Sequence, residues 1–401
     1  NRGAGVSVIS RYTLRLLSIQ QFRRATTMVT SAERLRVLSN DRGIGWMPPG
    51  SNLDGDYPWG KTPFSIGLWV GGKMTPNRMK SATIKGGEKI RGAIRGENGE
   101  RGLLSSTSRE YASQFGEPAQ ILSCPACKSV LSMTPDGLTQ GEEVELHLTL
   151  GGCPDAQELQ SSLEEIVDLT DVEIIGVNPI SDHAYHLQVK FTPTTDIPPR
   201  KLQNIFWNCL RDATNEMVVP FHSFDSTRPG YFPIKKDGVE VDYSIICPNP
   251  ICELNQGVEW IDQTPSGPRN LPSALGNGVS RCPIPALTVD EEIYSRCPSM
   301  VISTVDKFCS LAFNSESGTL FGSVVAHSME NGFKRDPLGL YRNPTRIEDV
   351  SSEGWTDLVG SRFVPPDFIL QDELHLIDGP LGSIVGMYEL AIKELTRLEG
   401  D

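Results

Sequence analysis

The chain has 401 residues, 38% of them apolar, with 37 Lys and Arg against 50 Asp and Glu for a net charge of −13. That length calls for more than one folding unit, or one core with a large insertion. No run approaches the roughly 20 apolar residues of a membrane span, and the acidic balance excludes a protein whose whole surface clings to nucleic acid, though not a local basic track. The first residues lack the pattern of a secretion signal, so a cytoplasmic, non-membrane protein is expected.

Val6 to Tyr12 alternates like a strand, and after Thr13 the residues Leu14, Leu17, Phe22, Ala25 and Met28 take helical spacing. This stretch also carries Arg2, Arg11, Arg15, Arg23, Arg24, Arg34 and Arg36 against Glu33 alone, a local balance of 7 − 1 = +6. Such a run serves either a phosphate track or an ordinary solvated helix face. Residues 40 to 62 read as loop. Within them Gly55-Asp-Tyr-Pro-Trp-Gly-Lys-Thr62 fits the phosphate-loop pattern, but Pro58 removes an amide, Asp56 repels phosphate and no strand precedes it. We read that match as accidental.

Phe64 to Val70 is predicted as a strand, and the Lys-rich, Gly-rich stretch to about residue 118 has no clear assignment. Beyond Glu142, strands are expected at Val144–Leu150, Val172–Val177 and His183–Phe191, and helices at Ala156–Val167 and Pro199–Ala213. Together they suggest a small α+β unit. From Pro283 onward we predict a strand at Met300–Val305, a helix near Lys307–Phe313, a strand at Phe368–Leu370 and a closing helix at Leu381–Leu398. Strands alternating with helices at both ends imply a parallel α/β sheet interrupted by an insertion. The expected divisions are 1–118, 119–285 and 286–401.

Nine cysteines without a secretion signal point to thiols and metal ligands rather than a disulfide framework. Cys124-Pro-Ala-Cys127 and Cys247-Pro-Asn-Pro-Ile-Cys252 each present two thiolates, and paired they form a four-cysteine structural zinc site stapling the base of the α+β unit. Cys282 or Cys297 could replace a member of the second pair. Cys153, Cys209 and Cys309 read as core or surface thiols. His183, His186 and His222 do not cluster, and His147 reads as a surface residue on a strand face with Glu145 and Thr149.

Asp372 and Glu373 follow Phe368-Ile369-Leu370 directly, so they emerge at the carboxyl end of a strand, where open parallel sheets bind ligands. There one carboxylate can hold magnesium through its waters and the other can orient the water that attacks ATP, with His375 close by. The plainer reading is a pair of helix-capping acids.

The flanking residues Pro365-Pro-Asp-Phe-Ile-Leu-Gln-Asp-Glu-Leu-His-Leu-Ile-Asp-Gly-Pro-Leu-Gly382 resemble the D-E-x-H box region of the DrmA helicase family of DISARM anti-phage systems. Arg11-Tyr-Thr-Leu-Arg-Leu-Leu17 with Gln20-Gln-Phe22, and Val301-Ile-Ser-Thr-Val-Asp-Lys-Phe308, resemble two further blocks in the same order. The resemblance implies a RecA-like first motor domain. It assigns Asp372, Glu373 and His375 to Mg-ATP, and Arg11, Thr13, Arg15, Thr304 and Lys307 to a DNA strand. Hydroxyls, cations and helix starts after strands suit phosphates.

It further implies a DNA helicase or translocase acting with a partner protein of the same defence system. A working motor also needs a phosphate-binding loop and a second RecA-like domain, which these residues do not display, so the chain alone is expected not to complete a turnover. The alternatives are a non-catalytic DNA-binding and partner-docking platform, and a zinc-ribbon protein in which the acidic pair is coincidental.

Overall fold

The computed structural model describes residues 5–42 (side chains to 36), 63–84, 87–105, 116–133, 139–151, 157, 172–181, 184–196, 219–220, 228–249, 252–255, 262–264, 267–269, 283–309, 311, 314–328, 332–335, 355–357, 364–372 and 382–396. In chain order the first elements are β1 (Val8–Tyr12), α1 (Arg15–Arg42), β2 (Ile66–Trp69), β3 (Ala82–Thr83) and β4 (Lys89–Ile90). Then come β5 (Val144–Gly151), β6 (Val172–Ser181), β7 (Ala184–Phe191), β8 (Val219–Pro220), β9 (Tyr231–Lys236), β10 (Val239–Ile245), β11 (Asp262–Thr264) and β12 (Gly267–Arg269). The last are β13 (Ala286–Leu287), α2 (Asp290–Arg296), β14 (Met300–Thr304), α3 (Val305–Cys309), β15 (Val324–Ser328), β16 (Gly332–Arg335), β17 (Trp355–Asp357), β18 (Phe368–Gln371) and α4 (Gly382–Thr396).

Two compact units result: Asn1–Arg78 with Ile261–Asn270 and Pro285–Asp401, and Met79–Trp260 with Leu271–Ile284. The first is built on a five-stranded sheet in the order β13-β2-β14-β1-β18, every pair parallel. Strands buried on both faces read as continuous apolar runs, and β2 (Ile-Gly-Leu-Trp) is buried at every position. Val6, Ile9, Trp69, Val301 and Phe308 share one core with Ile293 and Tyr294 of α2. The indole of Trp69 donates to the Tyr294 hydroxyl across 2.8 Å, which fixes α2 against the sheet. Such a mixed α/β unit with a parallel sheet is compatible with a RecA-like domain.

Helix α1 does not bury the face that its leucines suggest. Leu14, Leu16 and Met28 are exposed, while Ser18, Ile19, Phe22, Thr26, Val29, Thr30, Glu33 and Arg36 face inward. Ser18 and Thr26 donate to the carbonyls of Leu14 and Phe22, four residues back, so small hydroxyl residues can line a helix interior. Arg36 and Glu33 form a buried pair with contacts of 2.6 and 2.7 Å, and the same carboxylate accepts from the amide of Phe64 at 2.8 Å. That bond ties the approach to β2 onto α1.

The second unit contains an antiparallel sheet ordered β6-β7-β5-β8 and the hairpin β9–β10. The predicted helices at 156–167 and 199–213 lie outside the described residues, save Gln157. The unassigned Gly-rich stretch after Arg78 belongs to this unit. It is fastened there by Arg228, which pairs with Glu117 at 2.7 Å and donates to the Leu104 carbonyl, and by the Arg95 amide, which donates to Glu240 at 2.9 Å. Hence the first boundary falls at Arg78 rather than near 118. No helix among the described residues is long and apolar enough to cross a membrane.

Candidate functional site

Parallel strands bring together residues far apart in sequence. Tyr12 lies opposite Thr304 on one side, and Arg11 lies opposite Gln371 on the other. The carboxyl ends of β14, β1 and β18 are therefore level, and at about 4.8 Å per strand step Thr304 and Asp372 stand about 10 Å apart across β1. The amide of Asp372 donates to the Arg11 carbonyl at 3.0 Å, and its side chain is exposed. Glu373 and His375 lie outside the described residues.

Arg15 opens α1, whose first turn holds no acid. Its guanidinium pairs with Asp306 in the first turn of α3 at 2.9 Å, both groups being half exposed, and it lies within 4 Å of where a Cβ on Gly71 would stand. The positive helix end and the guanidinium suit an anion. The hydroxyls of Thr13 and Thr304 are buried and accept no hydrogen-bond partner among the described residues. Thr75, in the loop leaving β2, shares this condition and is fully buried. Nothing in its local sequence separates it from other loop threonines.

Two of the predicted strand contacts turn inward. Arg11 is 7% exposed, its guanidinium 4.8 Å above the centre of the Phe308 ring. Lys307 sends its ammonium to the buried carboxylate of Asp290, the first residue of α2. Burial pushes Asp290 up to about 6, against the opposing pull of Lys307. Neither cation is presented at the surface; both hold the sheet edge in place. Charge alone could not reveal this, because Asp290 is remote in sequence.

In the second unit the sulfurs of Cys124, Cys127, Cys247 and Cys252 all lie within 4.8 Å of one another. Cys124 meets Cys252 at 3.7 Å and Cys127 meets Cys247 at 3.4 Å, so each contact crosses between the two sequence pairs. Tetrahedral zinc–thiolate bonds of about 2.3 Å place sulfurs about 3.8 Å apart, which this spacing fits. The left-handed Lys128 (φ 65°) closes the first knuckle, where the Cys124 amide donates to the Ser129 carbonyl at 2.8 Å. The Asn255 side-chain amide closes the second by donating to the carbonyls of Cys247 and Asn249.

Hydrogen bonds with Cys124 and Cys247 push the Cys127 thiol far down, while bonds with Cys124 and Cys127 push Cys247 far up. Four packed thiols cannot all ionise without a cation among them. Cys297, the predicted substitute ligand, is instead buried in the first unit, where its thiol faces the Tyr294 and Thr319 carbonyls and burial raises it to about 12. Cys153, Cys209 and Cys282 lie outside the described residues.

His147 is 3% exposed, which corrects its reading as a surface residue. Its Nε2 meets Glu145 at 2.9 Å and its Nδ1 meets Nε2 of His186, 1% exposed, at 2.9 Å. The ring planes are 10° apart with centroids 5.1 Å apart, as expected of edge-to-edge rings joined by one N–H···N bond. Because ionised Glu145 only accepts, Nε2 of His147 carries the proton and Nδ1 accepts from His186. Sequence alternation placed His147 on one face with Glu145 but could not show that His186, on the neighbouring strand, meets it and that both rings are buried.

No family model matches the chain. Across 407 aligned positions, taking in the whole chain, it is 25% identical to the DISARM protein DrmA of Bacillus paralicheniformis, and spans 22% of that protein's length. The resemblance carried by the three motif blocks thus extends along all 401 residues, including the cysteine-bearing middle.

Proposed function

We propose that this chain, a diverged relative of the DISARM protein DrmA, is the strand-gripping part of a nucleic-acid-dependent ATPase of helicase type in a DISARM defence system. The observation that carries the reading is the alignment of Thr304, Thr13 with Arg15, and Asp372 at the ends of three adjacent parallel strands. A motor must couple a nucleotide to a strand, and neighbouring strand ends put both within reach of one rigid sheet.

Arg15, the start of α1 and the Thr13 and Thr304 hydroxyls would receive backbone phosphates of a DNA strand, directly or through water. Arg11 and Lys307 act as positioning residues for that edge, the first through its carbonyl and the second through Asp290. Asp372 would hold the magnesium of Mg-ATP through its waters, since an exposed carboxylate after a parallel strand is a suitable donor. Glu373 and His375 are assigned beside it by the family resemblance. Bound ATP supplies the phosphoryl group whose loss drives the cycle.

Zinc in the four-cysteine cluster is the structural part of the proposal. Four thiolates leave no position for a substrate, so the ion would hold the two knuckles together rather than take part in turnover. A partner protein of the same defence system, and DNA as the substrate, complete the proposal, supported by the resemblance of the three motif blocks to the helicase family of these systems.

The test is DNA binding by this chain together with DNA-stimulated ATP hydrolysis by the whole protein, comparing wild type with Arg15→Ala and Glu373→Gln. The reading expects Arg15→Ala to weaken binding and Glu373→Gln to bind DNA without turnover. Full turnover by Glu373→Gln would refute the catalytic assignment and leave a non-catalytic DNA-binding platform.

A further inference from the structure

The start of α1 favours an anion, yet none of its first-turn residues is acidic. The anion comes from elsewhere in the chain. Nη2 of Arg15 donates to Oδ2 of Asp306, 291 positions later, at 2.9 Å. The two residues occupy matching places, each two positions beyond a threonine at a strand end: Thr13 after β1 and Thr304 closing β14. Parallel pairing sets Tyr12 opposite Thr304 and brings the two connections side by side, so a cation and an anion meet at the level where the strands end.

This pair is built to open. Arg36–Glu33 and Lys307–Asp290, in the same unit, are buried, whereas the side chains of Arg15 and Asp306 are 47% and 65% exposed. One nitrogen of the guanidinium is used, and it donates to nothing else among the described residues. Lys307, the cation next to Asp306, is turned inward to Asp290 and leaves Asp306 to Arg15. Beside the guanidinium the chain at Gly71 carries no side chain, and a Cβ there would stand 3.9 Å from Nη2. An exposed ion pair held by one contact is weak and readily exchanged.

We propose that Asp306 is a specificity-determining residue of the strand-contacting edge, an internal stand-in for phosphate that occupies Arg15 until a multiply charged strand displaces it. The inference rests on the reading that Arg15 receives a strand phosphate, and adds the condition under which it does so. A tethered carboxylate competes at an effective concentration on the order of millimolar, which a single free phosphate has to overcome. A strand already held at Thr13, Thr304 and the start of α1 presents its next phosphate as a tethered group too. The exchange is then one local anion for another, and it favours the strand, because a phosphodiester can take the guanidinium fork with two oxygens where Asp306 takes one nitrogen. Asp306 thus screens Arg15 from isolated phosphates without closing it to a strand.

The experiment measures binding of a labelled mixed-sequence DNA single strand to the intact protein, in chloride and in inorganic phosphate at the same ionic strength. It compares wild type with Asp306→Asn, Asp306→Glu, Arg15→Ala and Arg15→Ala/Asp306→Asn, each checked for an unchanged melting curve. In chloride, Asp306→Asn is expected to bind about 2- to 5-fold more tightly than wild type, the scale of one exposed ion pair. Inorganic phosphate should erase most of that gain, because the freed guanidinium then takes the free anion, while wild type changes little. Asp306→Glu, which keeps the carboxylate, should bind as wild type does. In the Arg15→Ala background the asparagine substitution should gain less, since only the general repulsion between carboxylate and strand is left to remove.

An equal or larger gain in the Arg15→Ala background would make Asp306 a source of general repulsion and overturn the proposal. Unchanged or weaker binding by Asp306→Asn would overturn it as well, as would a gain that persists in phosphate or an Asp306→Glu protein that binds like Asp306→Asn. In each of these cases Arg15→Ala binding less tightly than wild type leaves the sheet-edge reading intact. Arg15→Ala binding as tightly as wild type refutes both.

Discussion

The amide of Asp372 is bonded to the carbonyl of Arg11, 361 positions earlier, across 3.0 Å. The acidic residue therefore takes its position from the strand that leads into Thr13 and Arg15, so the proposed nucleotide and nucleic-acid groups would share one backbone reference. Because the Asp372 side chain is exposed, Asp372→Asn is expected to leave the melting curve unchanged. In the whole protein it should lower DNA-stimulated ATP hydrolysis on the order of 100-fold, the scale typical of losing one preorganised electrostatic contact. A steady-state assay at saturating magnesium checks this; activity within twofold of wild type would remove Asp372 from the site.

Lys307 and Asp290 yield a pH prediction. Burial raises the folded-state value of Asp290 from 3.8 to about 6, so the folded protein binds its proton more tightly than the unfolded chain does. Its contribution is fully present below about pH 4 and is lost as pH rises through about 6, leaving stability flat with respect to this group above that. The shift corresponds to about 3 kcal/mol, an upper figure given the partner charge. Asp290→Asn should flatten the pH 4 to 6 segment of a urea-denaturation series. Lys307→Ala should destabilise the protein at pH 8 by about 3 kcal/mol, because it leaves a buried carboxylate without its cation. A Lys307→Ala protein as stable as wild type there would mean that the ammonium is not buried in this pair.

Much of the first unit was legible beforehand. Val6–Tyr12 carries an alternating pattern and Phe64–Val70, Met300–Val305 and Phe368–Leu370 carry apolar runs, and all four became strands of one sheet, the last with Phe368 and Leu370 exposed. Missed were the short antiparallel strands β11, β12, β15, β16 and β17, the two-residue β13, and α2, whose acidic first turn hides Asp290 and Glu292 as buried residues. The four cysteines could be paired from spacing alone because thiolate knuckles are local. What spacing could not show was the crossing of contacts, or the choice of Cys252 over Cys297. The inward turn of Arg11 and Lys307 was illegible because a cation's destination is decided by tertiary partners, whereas hydrophobic periodicity is written into neighbouring residues.

The cysteine cluster predicts one zinc ion per chain by elemental analysis of protein purified without chelator. Cys247→Ser should lower the zinc content and destabilise the second unit, since metal-binding free energy becomes folding free energy when the site does not preexist in the unfolded chain. Hydrogen exchange can localise the effect. Accelerated exchange is expected at 122–131 and 245–255 on chelation, with the sheet amides of β1 and β14 unchanged. Stoichiometric protein without zinc, with those segments still protected, would make the cluster a set of packed thiols.

His147 offers the last test, because burial and not charge is its distinguishing feature. It accepts from His186 and donates to Glu145, and the Gln188 side chain donates to the same carboxylate oxygen at 2.6 Å. Replacing His147 with Ala opens a gap and leaves the His186 N–H and one Glu145 contact unmet, so the expected loss is about 2 kcal/mol or more at pH 7.5. His147→Gln should recover part of that loss, since its amide can donate to Glu145 and its carbonyl can accept from His186. Urea denaturation of both variants checks the order. If Ala and Gln prove equally mild, the polar chain across β5 and β7 contributes nothing beyond filling space, and the buried histidines are simply packed side chains.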